Sequence, residues 1–394
     1  MKLFSFTTLK YFRFSVSSFY FIQGLVFSSW ASRIPDIKES LHMNEAQLGS
    51  VLFAIPVGQL ATMALAGYLV SRFGSKKTLT FAAFLNPLAL ICLGCSTSIW
   101  QLLLSLILFG IAGNMCNISV NTQGIGVERL YRSSIMASFH GLWSLAGFTG
   151  GLIGTWMVGM HVTPLNHFCM IAIIAWCTLL MMRRSILPRD TRLAENMEKQ
   201  TEKSQPSLFI KPDQYILILG IITFGSMVCE GTMFDWSGVY FEQVVHPPKE
   251  LVRLGYIAFM FAMTCGRFTA DHFVTRFGII PVIQISGVLI TLGLLLAVVF
   301  PYLTTATAGF LLVGFGTSSI VPLCYSLAGK SKIMRSGHAL AAVSTIGFLG
   351  FLIGPPIIGF VAQALSLRWS LGIIAMIGFT ATGMAPLLKK LQKV

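Results

Sequence analysis

Long apolar stretches broken by short polar ones run the length of the chain. Windows of ~20 residues give twelve predicted spans, near 12–32, 46–70, 77–96, 100–125, 136–160, 165–183, 213–241, 251–273, 279–299, 303–327, 337–362 and 367–388. Each is close to the ~20 apolar residues that a helix needs to cross a ~30 Å hydrocarbon core. One polar connection is long: Arg183–Pro212 is mixed in charge and divides the spans six and six. It reads as a linker. The predicted organisation is a bundle over 1–183, a cytoplasmic linker over 184–212 and a second bundle over 213–394.

The two bundles repeat one another. Ser144, Gly147, Phe148, Gly150, Leu152, Ile153, Gly154 and Gly159 return as Ser344, Gly347, Phe348, Gly350, Leu352, Ile353, Gly354 and Gly359, at an offset of 200. Arg72–Gly74 (RFG) returns at Arg276–Gly278, and Trp30 returns as Trp236. The fold class is therefore an all-α polytopic membrane protein of twelve transmembrane helices in two six-helix pseudo-repeats related by an axis along the membrane normal. Glycines three or four apart share a helix face and admit close backbone approach. They suit either a rocking interface or static packing. Pro355-Pro356 removes backbone donors and is expected to bend its helix.

Composition agrees with a lipid solvent. Hydrophobic residues make up 55% of the 394 and charged residues only 11%, against about 25% charged in soluble domains, and the mean hydropathy is +0.76. The formal charge of +14 does not indicate nucleic acid, because the basic residues form short clusters between apolar runs rather than one surface. With the N-terminus placed inside, 22 of the 28 Lys and Arg fall in inner segments. The positive-inside rule thus predicts cytoplasmic termini for a multi-pass membrane protein. All eight cysteines lie in apolar runs, including the Cys92/Cys95 pair, which reads as packing.

Motifs then narrow the family. Gly67–Lys77 (GYLVSRFGSKK) resembles the signature between the second and third helices of the major facilitator superfamily, with Ser71 and Ser75 departing from it. The resemblance makes Arg72, Lys76, Arg276 and Arg267 inner-gate residues, although the usual charge relay is incomplete. The stretches Ser28–Ile37, His140–Gly147, Glu230–Trp236, Gly266–Phe273 and Leu352–Phe360 resemble YbjJ-type inner-membrane proteins, distantly similar to fucose permeases. That implies a bacterial solute transporter acting as a monomer.

Candidate chemistry follows from elimination. Of fourteen carboxylates, only Glu230 and Asp235 sit well inside an apolar span. A carboxylate at membrane depth must pair, face water or carry a proton, so both are expected in proton coupling. They point about 140° apart on a regular helix, and Gly231 is a place where that helix could unwind. Asp235 could instead pair with Arg33, which is read as a gate residue or as snorkelling to the interface. Asn114, Asn117 and Asn121 share one face of the fourth span and could read hydroxyls or carbonyls of a neutral solute, or only join helices. Trp30 and Trp236 are belt aromatics or stacking surfaces. Gln23, Trp143 and Tyr325 are further cavity candidates, and His140 opens the fifth span as a gate or proton residue.

No phosphate-cradling loop or metal-ligand cluster occurs, so no cofactor is expected. The function expected is a secondary transporter for a small organic solute, coupled to protons, with import favoured. The alternatives are a proton-driven efflux antiporter, an uncoupled facilitator, or a receptor or enzyme with the same span count.

Overall fold

The computed structural model describes residues 6–131, 135–188, 213–329, 331, 334 and 336–391. Among these every regular element is helical, the arrangement in which each span satisfies its own backbone in lipid. The helices are α1 (Phe6–Ser32), α2 (Ile34–Ser40), α3 (Glu45–Leu52), α4 (Ala54–Phe73), α5 (Ser75–Gly94), α6 (Ile99–Tyr131), α7 (Met136–Gly159) and α8 (Pro164–Met182). After the segment 189–212, which lies outside the described residues with most of the expected linker, come α9 (Gln214–Tyr240), α10 (Leu254–Phe277), α11 (Ile279–Val299), α12 (Leu303–Gly329), α13 (Ser336–Ala364) and α14 (Leu367–Leu391).

Ten stretches among the described residues are long and apolar enough to cross a membrane. The two remaining predicted spans are α1 and α7, whose serines and glycines lower their hydropathy. Those small residues face each other. A Cβ on Gly150 would lie 1.8 Å from Ser28 Oγ, and one on Gly24 would lie 2.5 Å from the Trp143 carbonyl oxygen. The Ser28 hydroxyl donates to the Ala146 carbonyl at 3.3 Å. The pair is less apolar because its contact face meets protein rather than lipid. Elsewhere large apolar side chains such as Leu104, Ile173, Met181, Phe360 and Met376 stay exposed, as a lipid-facing surface requires.

The chain forms two compact units, one of Met1–Leu41 with Ala54–Lys203 and the other of His42–Phe53 with Ser204–Val394. The repeat extends to their internal contacts. In the first unit Gly110 meets Ile55, with 2.2 Å from a would-be Cβ to the carbonyl oxygen. In the second Gly314 meets Phe259 in the same way at 2.3 Å, 204 residues on. Gly350 of α13 faces the Phe224 carbonyl and Val228 of α9, as Gly150 faces Ser28 of α1 200 residues earlier. These repeated glycines lie at close helix approaches inside each unit. Gly74 and Gly278 end the RFG triplets with φ of +85° and +86°. Their ψ values of 149° and 164° lie in a region that is essentially glycine-only.

Three features depart from the linear pattern. The second span is interrupted by a turn at Phe53, and its first piece α3 belongs to the second unit. There Gly49 lies against Pro355 and Gly359 of α13, and Gln243 donates to Glu45 at 2.9 Å. Gly231 does not unwind α9, which runs unbroken past it with Phe351 filling the space beside it. The departure from α-helix comes later, as a π-helical turn over Phe241–Val245. Several ends are capped as their sequence allows: Asn44 and Gln47 form a capping box, and Asp213 accepts from Ile216 N at 2.7 Å.

Candidate functional site

In the second unit the buried acid is Glu230, paired with one base. It is 8% exposed on α9, and Arg267 of α10 reaches its Oε1 at 3.4 Å. Tyr325 of α12 is half-buried. Two helices supply a carboxylate and a guanidinium to one buried pair. Pairing suits the depth, since a lone ion there costs several kcal/mol while a paired one does not carry that penalty uncompensated. Arg267 was expected at a gate; the structure gives it to Glu230. The clue in the sequence was that Arg267 is a basic residue inside a span, on a helix running antiparallel to the one bearing Glu230.

Asp235 is half-buried on the same helix and makes no hydrogen bond or ion pair with any described residue. On α10 the Tyr256 hydroxyl is buried and has no partner among the described residues. Trp236 is fully buried, as is Trp30 in the first unit, and among the described residues neither indole N–H has a partner. Burial removes both from an interfacial belt. The exposed tryptophans are Trp100, Trp156 and Trp369, at helix ends that the Lys and Arg distribution assigns to the outside.

In the first unit the asparagine face is organised by a residue the sequence reading passed over. The buried Tyr20 hydroxyl donates to Asn121 Oδ1 at 2.7 Å, and Asn121 Nδ2 donates to Asn117 Oδ1 at 2.7 Å. The chain has a direction. It begins at a buried phenol and ends on the exposed Asn117, whose amide N–H groups have no partner among the described residues. Tyr20 lies three residues before Gln23, on the same face of α1, which was the available signal. Gln23 donates to the Gly113 carbonyl at 3.3 Å, leaving its own side-chain oxygen as an acceptor. Asn114 joins helices instead, donating to Gln59 O at 2.9 Å. His140 is exposed, with its ring edge-on to Tyr20 at 5.4 Å between centroids. Trp143 and Phe27 form a partly exposed aromatic pair nearby in the sequence, 5.9 Å apart.

Arg33 does not snorkel. It is 2% exposed and is held inside the first unit by His167 Nδ1 at 3.2 Å, the Val162 carbonyl at 2.8 Å and Asp36 at 3.6 Å. At the RFG triplets, Arg72 is exposed, bonds the Tyr68 hydroxyl and lies over the rings of Tyr68 and Phe73. Arg276 is exposed over the Phe277 ring, and Lys76 is half-buried. No group of three or more potential metal ligands occurs among the described residues.

Comparison with known proteins agrees with this architecture. The family profile described as Major Facilitator Superfamily matches residues 16–332 and 245–393. An uncharacterized MFS-type transporter of Yersinia pestis is 29% identical over 366 residues, covering 93% of both chains. The membrane protein MosC of Rhizobium meliloti is 32% identical over 362 residues, covering 91% of this chain and 86% of that one. Among solved structures, a mutant of the nucleoside transporter NupG superposes with a TM-score of 0.79 at 14% identity, covering 96% and 99%. A D-xylose-proton symporter does so with a TM-score of 0.72 at 17% identity, covering 95% and 97%. At these identities the structural likeness speaks to fold alone.

Proposed function

Because the chain belongs to the major facilitator superfamily, and is thus a multi-pass membrane transporter rather than an enzyme, we propose that it moves a small, polar, uncharged organic solute by alternating access. Transport is coupled to protons through the two acids of α9, with import favoured over export. The observation that carries this reading is the placement of Glu230 and Asp235 in one membrane-spanning helix, one paired and one not. Acids at this depth are costly and mark ion pathways. Solute recognition is assigned to the first unit, where Asn117 offers N–H donors, Gln23 an acceptor, and Trp143 with Phe27 an aromatic surface. Donor, acceptor and ring face together suit a hydroxyl-bearing ring. The names of two structural neighbours, a nucleoside transporter and a D-xylose-proton symporter, give such solutes as the first to try.

The protein acts as a monomer in a bacterial inner membrane with both termini cytoplasmic. This rests on the Lys and Arg distribution and on the bacterial relatives. Inner-gate roles are assigned to Arg72, Lys76 and Arg276 at the RFG triplets and to His140 beside Tyr20, with Arg33 an outer anchor.

The test is uptake of labelled pentoses and nucleosides into liposomes carrying the purified chain, with and without an imposed proton gradient. Wild type accumulates solute only with the gradient. Glu230→Gln/Asp235→Asn exchanges solute but does not accumulate it. Gradient-independent movement in wild type would instead favour an uncoupled facilitator, a reading to which the neutralisation of Glu230 by Arg267 lends some weight.

A further inference from the structure

In the first unit one exposed amide has its orientation set by the groups behind it. An amide side chain can turn either its oxygen or its NH2 toward a neighbour, and the neighbours decide which. Asn121 Nδ2 lies 2.8 Å from the backbone carbonyl oxygen of Asn117, a group that only accepts. The NH2 of Asn121 is therefore on that side. Its Oδ1 is on the other, where the Tyr20 hydroxyl donates to it at 2.7 Å. The same NH2 also donates to Asn117 Oδ1 at 2.7 Å. Asn117 thus has its oxygen engaged, while its own NH2 has no partner among the described residues.

Tyr20 is built to hold this arrangement. It is 1% exposed. Its ring is stacked on Phe139, with centroids 5.3 Å and planes 8° apart, and stands edge-on to His140. Helix α6 makes room for the hydroxyl at Gly124, where a Cβ would lie 3.3 Å from it and 3.0 Å from Met136 Sδ. A phenol packed in this way cannot swing out of reach of Asn121.

A second amide is fixed beside the first. Gln23, on the same face of α1 as Tyr20, donates to the Gly113 carbonyl at 3.3 Å, so its oxygen is left to accept. In an α-helix the Gly113 carbonyl is also the acceptor of the Asn117 backbone N–H, which puts the Gln23 amide within a turn of Asn117. A Cβ on Gly113 would meet nothing within 4 Å, so there is open space beside them. One donor and one acceptor are held close together, and neither can turn over.

We propose that Tyr20 is a positioning residue for the solute: through Asn121 it fixes Asn117 as a hydrogen-bond donor. Beside the Gln23 acceptor, that polarity selects neutral solutes with an oxygen acceptor next to an O–H donor, as in a vicinal diol or a hydroxyl adjoining a ring oxygen. This deepens the transporter reading and rests on it.

Uptake of labelled pentoses and nucleosides into liposomes is measured against concentration with the full-length chain. Tyr20→Phe keeps the ring and its stack but removes the donor. It raises KM by about twofold to tenfold, the loss of one neutral hydrogen bond, with little change in maximal rate, as expected when a ground-state contact is weakened. Asn117→Ala raises KM at least as much. Because Tyr20 acts through Asn117, Tyr20→Phe/Asn117→Ala is no worse than Asn117→Ala alone, whereas independent structural damage would add. A readout that needs no solute is the NMR signal of the asparagine side-chain NH2 groups in the purified, isotope-labelled chain, assigned by their loss in Asn117→Ala and Asn121→Ala. Tyr20→Phe shifts both.

Additive effects in the double variant, or an Asn117 signal unmoved by Tyr20→Phe, overturn the assignment. If wild type takes up none of these solutes while Tyr20→Phe still shifts both signals, the solute reading falls and the orienting role of Tyr20 stands.

Discussion

At the residue scale the strongest energetic statement concerns Glu230 and Arg267. Removing one member of a buried pair leaves an uncompensated charge, at a cost of roughly 3–5 kcal/mol, whereas removing both is often close to neutral. Arg267 is 23% exposed, which places the cost at the lower end. Glu230→Gln is therefore expected to melt well below wild type, and Glu230→Gln/Arg267→Gln to recover most of the loss in the same thermal assay. A double variant no more stable than the single one would mean that the pair is not coupled. The acid itself was legible by elimination, since carboxylates are scarce in apolar spans. Its partner was not: 37 residues separate them, and which basic residue meets Glu230 depends on the rotation of α9 against α10. A second prediction concerns backbone. Gly74→Ala and Gly278→Ala put a Cβ into φ of +85° and +86°, at about 1–3 kcal/mol each, read as a lower melting temperature at both sites. The repeat of RFG was visible in the sequence; its reason, a glycine-only conformation at the same junction of each half, was not.

At the element scale, small residues decide which helices meet. The glycine face of α7 was legible, but its partner α1 was not, because a glycine shows only that something approaches closely. Gly150→Ala is expected to force Ser28 aside, since the added carbon would sit 1.8 Å from its hydroxyl oxygen. Overpacking of this kind costs about 1–3 kcal/mol. Gly159→Ala on the same helix meets nothing within 4 Å and should leave the melting temperature unchanged or slightly raised, through its better helix propensity. Equal effects at the two sites would refute the close α1–α7 contact. The asparagine face illustrates the same limit of a linear reading. Its periodicity was plain, yet the three residues have separate duties. Asn114 ties α6 to α4, and Asn121 relays from Tyr20 to Asn117. Only rotation and neighbours distinguish them. The turn at Phe53 left no mark that hydropathy could register, for the apolar run continues across it.

At the scale of the whole molecule, that turn matters most. Two similar bundles and twelve spans could be read from periodicity and repeat, but not that His42–Phe53 packs with the unit built from residues after Ser204. If alternating access moves the bundles as bodies, the second span is shared between them. Either α3 leaves α13 in each cycle, or the turn at Phe53 absorbs the motion. Gly49 and Gly359 bring the backbones of α3 and α13 into close approach. Glu45 and Gln243, hydrogen-bonded at 2.9 Å beside it, are polar side chains whose replacement spares the glycine contact. Glu45→Cys/Gln243→Cys, in a background carrying Cys95→Ser and Cys177→Ser to remove the exposed thiols, can be joined by a short bifunctional thiol reagent. The unlinked protein should exchange solute, and the linked protein should fall to background. If fully linked protein exchanges at the unlinked rate, α3 stays with the second unit throughout, and the hinge of this transporter is the single turn at Phe53.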